Sequence, residues 1–338
     1  MRFAQSLFRF LGTGTPVPIT DPICHTRHIG RSTTARRARR PARRAKLTAM
    51  SGTSAAHPLT GPFPPHTAPG RFGIVNLAAT PQHCAATMPV AGLCNPFTGT
   101  PTLAPLAVLV DHIAGFANHL RRPDGHWTVS SELTMEFTPD AHAVLAADPT
   151  TPVLAESRAV GAAAATSLSA CDLSHRGIGI GVGTVRTFYI AVAAPALPDG
   201  PGPDSPGSDS PGPASPVPVP TALDELMAVE VAEAGGPGPL LVQHADPAVN
   251  NSMGAVHGGV AAAGLELVAA AALNTDRADQ PLHTASLRVN YLRRLMSGGR
   301  AHYTATALHS GRSSGVANAQ AFDADGRPAL VGRLTAYL

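Results

Sequence analysis

Two long apolar stretches dominate the hydrophobic pattern of the chain. Residues 105–120 read PLAVLVDHIAGFANHL and residues 261–274 read AAAGLELVAAAALN. Both have helical length, and the second is apolar nearly all round, which is typical of a helix buried on every side. Large apolar residues then alternate with polar ones at 131–137 and 286–291. This alternation predicts a half-buried β-strand after each helix.

The two stretches align with each other. When Asp111 is placed on Glu266, Leu133 falls close to Leu287 and Phe137 close to Tyr291, with single-residue drifts. The segments TFY (187–189) and TAY (335–337) then align as last strands. We therefore predict a tandem repeat, in which one central helix is followed by three or four antiparallel strands, twice.

A proline-rich segment separates the two halves. Ten of the 26 residues from 195 to 220 are proline, and most of the others are Gly, Ser or Asp. Such a segment cannot bury enough apolar surface to offset its ordering entropy. The predicted organisation is a disordered, Arg-rich extension over 1–69, a first domain over 70–194, a linker over 195–220 and a second domain over 221–338.

The charge is divided unevenly along the chain. Residues 1–46 contain 11 of the 25 Lys and Arg residues and one acidic residue, Asp21, a balance of +10. The remaining 14 basic and 21 acidic residues give the body a balance of −7. A nucleic-acid-binding body would need positive charge on a folded face, so this class is excluded for the body.

The composition also limits the cellular setting. Four cysteines, at positions 24, 84, 94 and 171, show no C-x-x-C spacing. Together with the absence of any uninterrupted apolar run of 18 residues, this favours a cytoplasmic protein without a membrane span. No metal site is expected.

The densest motif precedes the second central helix. Residues 250–266 read NNSMGAVHGGVAAAGLE, which contains N-x-x-G-x-x-H-G-G followed by an acid. Gly258 and Gly259 stand where the helix begins, so unpaired backbone N–H groups there would form an oxyanion site. Asn251 could add an amide donor, and His257 could brace the turn or contact the substrate. A lone carboxylate at Glu266 inside an apolar helix is unfavourable unless it has a role.

These residues resemble the hotdog-fold acyl-CoA thioesterases of the phenylacetyl-CoA thioesterase type. The resemblance covers 221–338 well and 70–194 more faintly. It implies an α+β double hotdog, in which each half is an antiparallel sheet wrapped around a long central helix. It also implies that the acid nine residues after His257, which is Glu266, serves as general base or nucleophile. A Ser or Thr often follows that acid by one helical turn in the family, and here Ala270 occupies the place.

Helix geometry decides which carboxylate meets which loop. Gly258 and Glu266 are eight residues apart, so about 12 Å of helix separates them at 1.5 Å per residue. We therefore expect a crossed site, in which Asp111 of the first half faces Asn251, His257, Gly258 and Gly259. Glu266 would face residues 95–102 (NPFTGTPT), which lack the His-Gly-Gly, as a degenerate second site. If the chain instead formed a dimer through its second halves, Glu266 would meet a complete loop.

The implied substrate adds further expectations. Coenzyme A enters as part of the substrate, and no separate cofactor is expected. Arg293, Arg294, Arg300 and Arg312 are candidates to contact its phosphates. His112 and His119 are interpreted as ordinary polar-face residues of the first helix. A homo-oligomer of double-hotdog units is a further expectation.

Three function classes remain open. The first is an acyl-CoA thioesterase, and the second is a non-catalytic acyl-CoA-binding protein, which Ala270 and the altered first-half loop favour. The third is a dehydratase or hydratase of acyl thioesters. It is disfavoured because Asp246 is not followed by a histidine at a suitable spacing.

Overall fold

The computed structural model describes residues 60–191, 221–232, 238–277 and 279–338. The expected extension up to residue 59 and the expected linker at 195–220 lie outside the described residues. The first strand begins at Gly61, before the expected domain boundary at residue 70. The described part of the first half ends at residue 191, and that of the second half begins at residue 221.

Five α-helices occupy the described ranges. They are α1 (Ala68–Arg71), α2 (Leu106–His119), α3 (Ala141–Ala147), α4 (Leu223–Met227) and α5 (Gly258–Asn274). The strands of the first half are β1 (Gly61–Pro62), β2 (Val75–Ala79), β3 (Cys84–Met88), β4 (His126–Phe137), β5 (Val153–Val160), β6 (Thr166–His175) and β7 (Ile178–Ala191). Those of the second half are β8 (Val229–Ala232), β9 (Leu240–Gln243), β10 (His283–Tyr291), β11 (His302–Ser310), β12 (Ser314–Phe322) and β13 (Pro328–Tyr337).

Within the described residues, all strands belong to one antiparallel sheet. Its order is β1-β2-β3-β5-β6-β7-β4-β10-β13-β12-β11-β9-β8. The two halves join where β4 pairs with β10, with Met135 opposite Leu287 and Leu133 opposite Val289. These four side chains are buried. The alternating pattern found in the sequence therefore marks the strands at the seam between the halves.

Each half-sheet curves around one long helix, α2 in the first half and α5 in the second. Ten of the 14 residues of α2 and 13 of the 17 residues of α5 are buried, in agreement with their apolar sequences. The expected fold class, an α+β double hotdog, is confirmed.

The two central helices pack against each other within one chain. A Cβ atom built on Gly259 would lie 2.5 Å from the Cα atom of Val108, so only a glycine permits this close approach. Farther along α5, Glu266 meets Thr102, which precedes α2. Residue numbers thus rise along α5 as they fall along α2, and the helices run antiparallel.

The strands that follow the central helices agree with the prediction, since four follow each one. The strands that precede them were not predicted. β2, β3, β8 and β9 have only four or five residues each, too few for alternation to stand out. The short helix α3 between β4 and β5 was also missed.

Among the helices of the described ranges, none combines the length and hydropathy that crossing a bilayer requires.

Candidate functional site

The loop before α5 is held together by Asn251 and closed by His257. The Asn251 side-chain oxygen accepts the N–H groups of Met253 at 2.9 Å and Ala255 at 3.3 Å. The Asn251 side-chain nitrogen makes no hydrogen bond to any described residue. His257 caps α5, because its Nδ1 accepts the Gly259 N–H at 3.2 Å. Asn251 therefore stabilises the loop through its oxygen and keeps its nitrogen as a donor.

Asp111 of α2 reaches the start of α5. Its Oδ2 accepts the Gly259 N–H at 2.8 Å and lies 3.5 Å from His257 Nδ1. Its Oδ1 accepts the Ser130 hydroxyl at 2.8 Å, and the side chain is 8% exposed. The structure thus brings the first-half carboxylate to the His-Gly-Gly of the second half within a single chain.

The two glycines of the motif differ in what they do. A Cβ atom on Gly258 would lie 2.7 Å from Asp111 Oδ2, so the carboxylate needs a glycine there. The Gly259 N–H is already bonded to Asp111, whereas the Gly258 N–H has no hydrogen-bond partner among the described residues. Of the two donors expected for an oxyanion site, only the Gly258 N–H is available.

The groups around Asp111 are held in their neutral forms. Burial lowers the pKa of His257, although the neighbouring Asp111 opposes this shift. Burial also lowers the pKa of His112 to about 3, with a smaller contribution from His257. Burial and, secondarily, the charge of Asp111 raise the pKa of Tyr291, whose hydroxyl donates to the Gly258 carbonyl at 3.0 Å.

A cavity of about 650 Å³ opens beside Asp111. The predicted site residues that line it are Asp111, Asn251, His257, Gly258, Arg293 and Arg294. Glu266 and Gly259 are not part of its lining, nor are Arg300 and Arg312. The predicted set is therefore split between the cavity and other places.

Two of the four predicted arginines lie elsewhere in the fold. Arg300 donates to the Asp325 carbonyl at 2.7 Å, next to the turn between β12 and β13. Arg312 lies in the turn between β11 and β12, where its carbonyl accepts from Arg277. Of these four arginines, only Arg293 and Arg294, which follow Leu292 at the end of β10, line the cavity. Arg300 lies in the segment between β10 and β11, and Arg312 lies in the turn between β11 and β12, so neither residue lines this cavity. Their expected contact with the phosphates of coenzyme A stays a prediction.

Glu266 occupies the corresponding position in the other half but has different neighbours. It is 1% exposed and accepts hydroxyl hydrogen bonds from Thr284 at 2.5 Å and Thr102 at 3.1 Å. Burial raises its pKa to about 7, and these hydroxyl bonds only partly offset the effect. Thr102 also accepts the Ala104 N–H at 3.2 Å, as His257 does for Gly259. Leu103 and Ala104 stand in place of the two glycines, so side chains occupy this second position.

Several cavity residues escaped the sequence analysis. His112 and His119 are not ordinary polar-face residues, because both line the cavity. His112 Nε2 lies 3.0 Å from Asn76 Oδ1, and His119 Nδ1 lies 2.9 Å from Thr128 Oγ1. The i, i+4, i+8 spacing of Asp111, Gly115 and His119 was the available signal, since it places them on one helix face.

Five strand residues of the lining that carry a hydroxyl were missed as well: Thr128, Ser130, Ser131, Thr187 and Tyr291. The Thr187 hydroxyl is buried without a hydrogen-bond partner among the described residues. Sequence alternation identifies the strands that carry these residues, but it does not show which polar side chains face inward.

Among the described residues, no group of three or more His, Cys, Asp or Glu side chains is arranged to hold a metal ion.

Several solved structures are similar to this chain over all or part of the described ranges. The tesB protein of Mycobacterium avium subsp. paratuberculosis is 12% identical over 78% of this chain and 95% of its own, with a TM-score of 0.48. The acyl-CoA thioesterase II TesB2 of Mycobacterium marinum is 9% identical over 80% of this chain and 97% of its own, with a TM-score of 0.49. A Bacillus halodurans protein solved with CoA is 24% identical over 35% of this chain and 78% of its own, with a TM-score of 0.32.

Comparisons of sequence give one match. No curated protein matches the chain. The family model described as Thioesterase superfamily matches residues 253–330, which contain His257, Gly258, Gly259 and Glu266.

Proposed function

We propose that the protein hydrolyses the thioester bond of an acyl-CoA, releasing a free acid and coenzyme A. The observation that carries the proposal is that Asp111, whose carboxylate accepts the Gly259 N–H, lines one cavity together with Gly258, whose N–H has no hydrogen-bond partner among the described residues. A base and an oxyanion donor at one place are what hydrolysis of an acyl group requires. The match of residues 253–330 to the Thioesterase superfamily supports the same reaction.

Asp111 acts as the general base. Each of its oxygens already accepts one hydrogen bond, from Ser130 and from Gly259, which fixes its orientation and lowers its nucleophilicity. It therefore takes a proton from water as the water oxygen attacks the thioester carbonyl carbon. Burial favours the neutral forms of His257 and Tyr291, so we assign the role of base to Asp111.

The negative charge that develops on the carbonyl oxygen is held by the Gly258 N–H, at the positive end of the α5 dipole. The Asn251 side-chain nitrogen is the second donor. The carbon–sulfur bond then breaks, and the proton held by Asp111 passes to the sulfur of coenzyme A. Arg293 and Arg294, which are exposed beside the loop, meet the phosphates of coenzyme A.

Glu266 does not act in this reaction. Thr102 and Thr284 enclose it, and Leu103 and Ala104 leave no glycine at that helix start. We therefore assign one catalytic site to each chain, and both halves contribute residues to it.

The direct test is the release of free thiol from acyl-CoA by the purified full-length protein. Wild type and Glu266→Gln are expected to be active, whereas Asp111→Asn is expected to lose at least about 1,000-fold in kcat, since the reaction loses its base. Loss confined to Glu266→Gln would overturn the assignment of the base.

The binding-protein alternative is favoured by one observation. Gly115 stands one helical turn after Asp111, and Ala270 stands one helical turn after Glu266. The resembling family often has a hydroxyl-bearing residue at this place, and neither Gly115 nor Ala270 has one. Acyl-CoA binding without thiol release from any substrate would establish that alternative. Hydration of an unsaturated acyl-CoA, followed by ultraviolet absorbance, would instead indicate a hydratase.

A further inference from the structure

We propose that the cavity accepts an uncharged acyl group of medium length along α2, and that Gly115 sets how far this group extends. The inference rests on the proposed function and names its substrate class. The part of the cavity concerned is called the α2 arm, and it is lined by Gly115, Phe116, His119, Trp127 and Thr128.

The α2 arm begins at Asp111, where the thioester carbonyl sits. Asp111, Gly115 and His119 are spaced by four residues, so all three lie on one face of α2 and line the cavity. Asp111 and His119 are separated by about 12 Å at 1.5 Å per residue. With carbon–carbon bonds of about 1.5 Å, that length holds an extended chain of roughly eight to ten carbons.

His119 and Trp127 lie at the end of the α2 arm that is farther from Asp111. Their rings meet edge to face, with centroids 4.8 Å apart. The Thr128 hydroxyl lies 2.9 Å from His119 Nδ1 and fixes the imidazole in place. In the proposal, these two rings form the end of the arm and set an upper limit on acyl length.

Gly115 lies at the middle of the α2 arm and has the smallest possible side chain. A Cβ atom built there meets no heavy atom within 4 Å, so packing does not require a glycine. Inside a helix, glycine is less stable than alanine by about 0.5–1 kcal/mol. The space beside Gly115 lies on the cavity side of α2, so the missing side chain leaves room for a ligand.

The charge of the lining determines the chemistry of the acyl group. Apart from histidines, the only acidic or basic residues among the described residues that line the cavity are Asp111, Arg293 and Arg294, and none of them belongs to the α2 arm. Burial lowers the pKa of His119 to about 4, so its imidazole is neutral there. A carboxylate at the far end of an acyl group would lose its hydration and meet no cation among the residues that line the arm. Arg122, which lies next to His119, does not line the cavity and already donates to the carbonyls of His119 and His126. Phe116 and Trp127 instead offer apolar surface.

The test measures affinity for straight-chain acyl-CoAs from acetyl to dodecanoyl, in an Asp111→Asn background that prevents turnover. Affinity is expected to rise up to octanoyl- or decanoyl-CoA and then level off. Adding Gly115→Leu is expected to weaken octanoyl-CoA binding by at least about 10-fold and to change acetyl-CoA binding by less than about twofold, since the added side chain fills the arm. Equal weakening at every length, or unchanged octanoyl-CoA binding, would overturn the proposal.

Two controls complete the experiment. Ala270→Leu makes the same kind of change at the corresponding place on α5, which lies outside the cavity lining, and should leave the length profile unchanged. Succinyl-CoA should bind more weakly than butyryl-CoA, and equal binding would contradict the charge argument. Because binding is measured apart from turnover, an absence of hydrolysis by wild type would count against the proposed function, whereas a flat length profile would count against the α2 arm.

Discussion

The Ser130 hydroxyl donates to Asp111, and the Thr284 hydroxyl donates to Glu266 in the same way. Both donors lie at an irregularity of strand pairing, between Ser130 and Glu132 in β4 and between Thr284 and Ser286 in β10. An extra residue in a strand turns the neighbouring side chains to the other face. Each half thus uses a strand irregularity to aim a hydroxyl at the carboxylate of its own central helix.

Removal of the Ser130 hydroxyl is expected to slow catalysis. A hydrogen bond to a charged group contributes about 1.5–3 kcal/mol, so Ser130→Ala should lower kcat by about 10- to 100-fold as Asp111 loses its orientation. KM should change little. Steady-state thiol release provides the measurement, and Thr284→Val is the matched control, because it removes the equivalent bond at Glu266. Equal losses of kcat in both variants would contradict a role specific to Asp111.

An added methyl group at Gly258 is expected to displace the carboxylate. The new Cβ would lie 2.7 Å from Asp111 Oδ2, which breaks the contact with Gly259. A displacement of about 1 Å can lower a rate about 100-fold, and Gly258→Ala should show a loss of that order in kcat/KM. Gly179→Ala is a suitable control, since a Cβ atom there meets no heavy atom within 4 Å. A fully active Gly258→Ala variant would refute the geometry of the proposed site.

The fold was largely predictable because its strongest determinants are local. The apolar run of α5 and the alternation at Leu133 and Leu287 specify a buried helix and strands that face it. The crossing of Asp111 to Gly258 was expected from the helix rise together with the internal repeat and the family resemblance. The inward orientation of Ser130 was not predictable. One extra residue in β4 changes which side chains face the helix and leaves the periodicity almost intact.

The placement of the arginines shows a second limit of sequence reasoning. Arg293 and Arg300 are seven residues apart, yet only Arg293 lines the cavity. Their positions depend on how the segment after β10 folds back, with the Ala329 carbonyl accepting from both Leu292 and Arg293. Contacts of this kind join distant parts of the chain, and no local pattern records them.

Arg293 and Arg294 are expected to contribute to KM through the phosphates of coenzyme A. Arg293→Gln and Arg294→Gln should each raise KM by about three- to tenfold. This is the effect expected when a charge-assisted hydrogen bond at a solvent-exposed position is lost. Hydrolysis of an N-acetylcysteamine thioester, which has no phosphate, should be unaffected by either change. Arg300→Gln and Arg312→Gln serve as controls with unchanged KM. If all four variants behaved alike with acyl-CoA, the contacts would be non-specific.

The Thr187 hydroxyl gives a prediction about stability. Thr187 is 1% exposed, and its hydroxyl has no partner among the described residues, although it lines the cavity opposite Ser130 in β4. A buried unpaired hydroxyl costs about 1–3 kcal/mol. Thr187→Val keeps the shape of the side chain and should therefore raise the free energy of unfolding by about 1 kcal/mol in urea titrations. A decrease of that size would show that the hydroxyl has a stabilising partner in solution.

Glu266 is expected to make stability fall as pH rises. Its pKa is about 7 in the folded protein and near 4.5 in the unfolded chain, so the folded state binds the extra proton between these values. Glu266 therefore lowers the free energy of unfolding by about 3 kcal/mol as the pH rises from 4.5 to 7, at 1.36 kcal/mol per pH unit.

Glu266→Gln removes this titration and keeps an acceptor for Thr284. The variant should gain about 3 kcal/mol relative to wild type between pH 5 and pH 8. The histidines oppose Glu266, because burial lowers the pKa of His112, His119 and His142 and so favours the folded state as pH rises towards 6.5. For this reason the comparison is made as a difference between variants, by urea denaturation at each pH. Glu225→Gln, at an exposed carboxylate, is the control and should show no such gain. A pH-independent difference for Glu266→Gln would mean that Glu266 is ionised in the folded protein throughout this range.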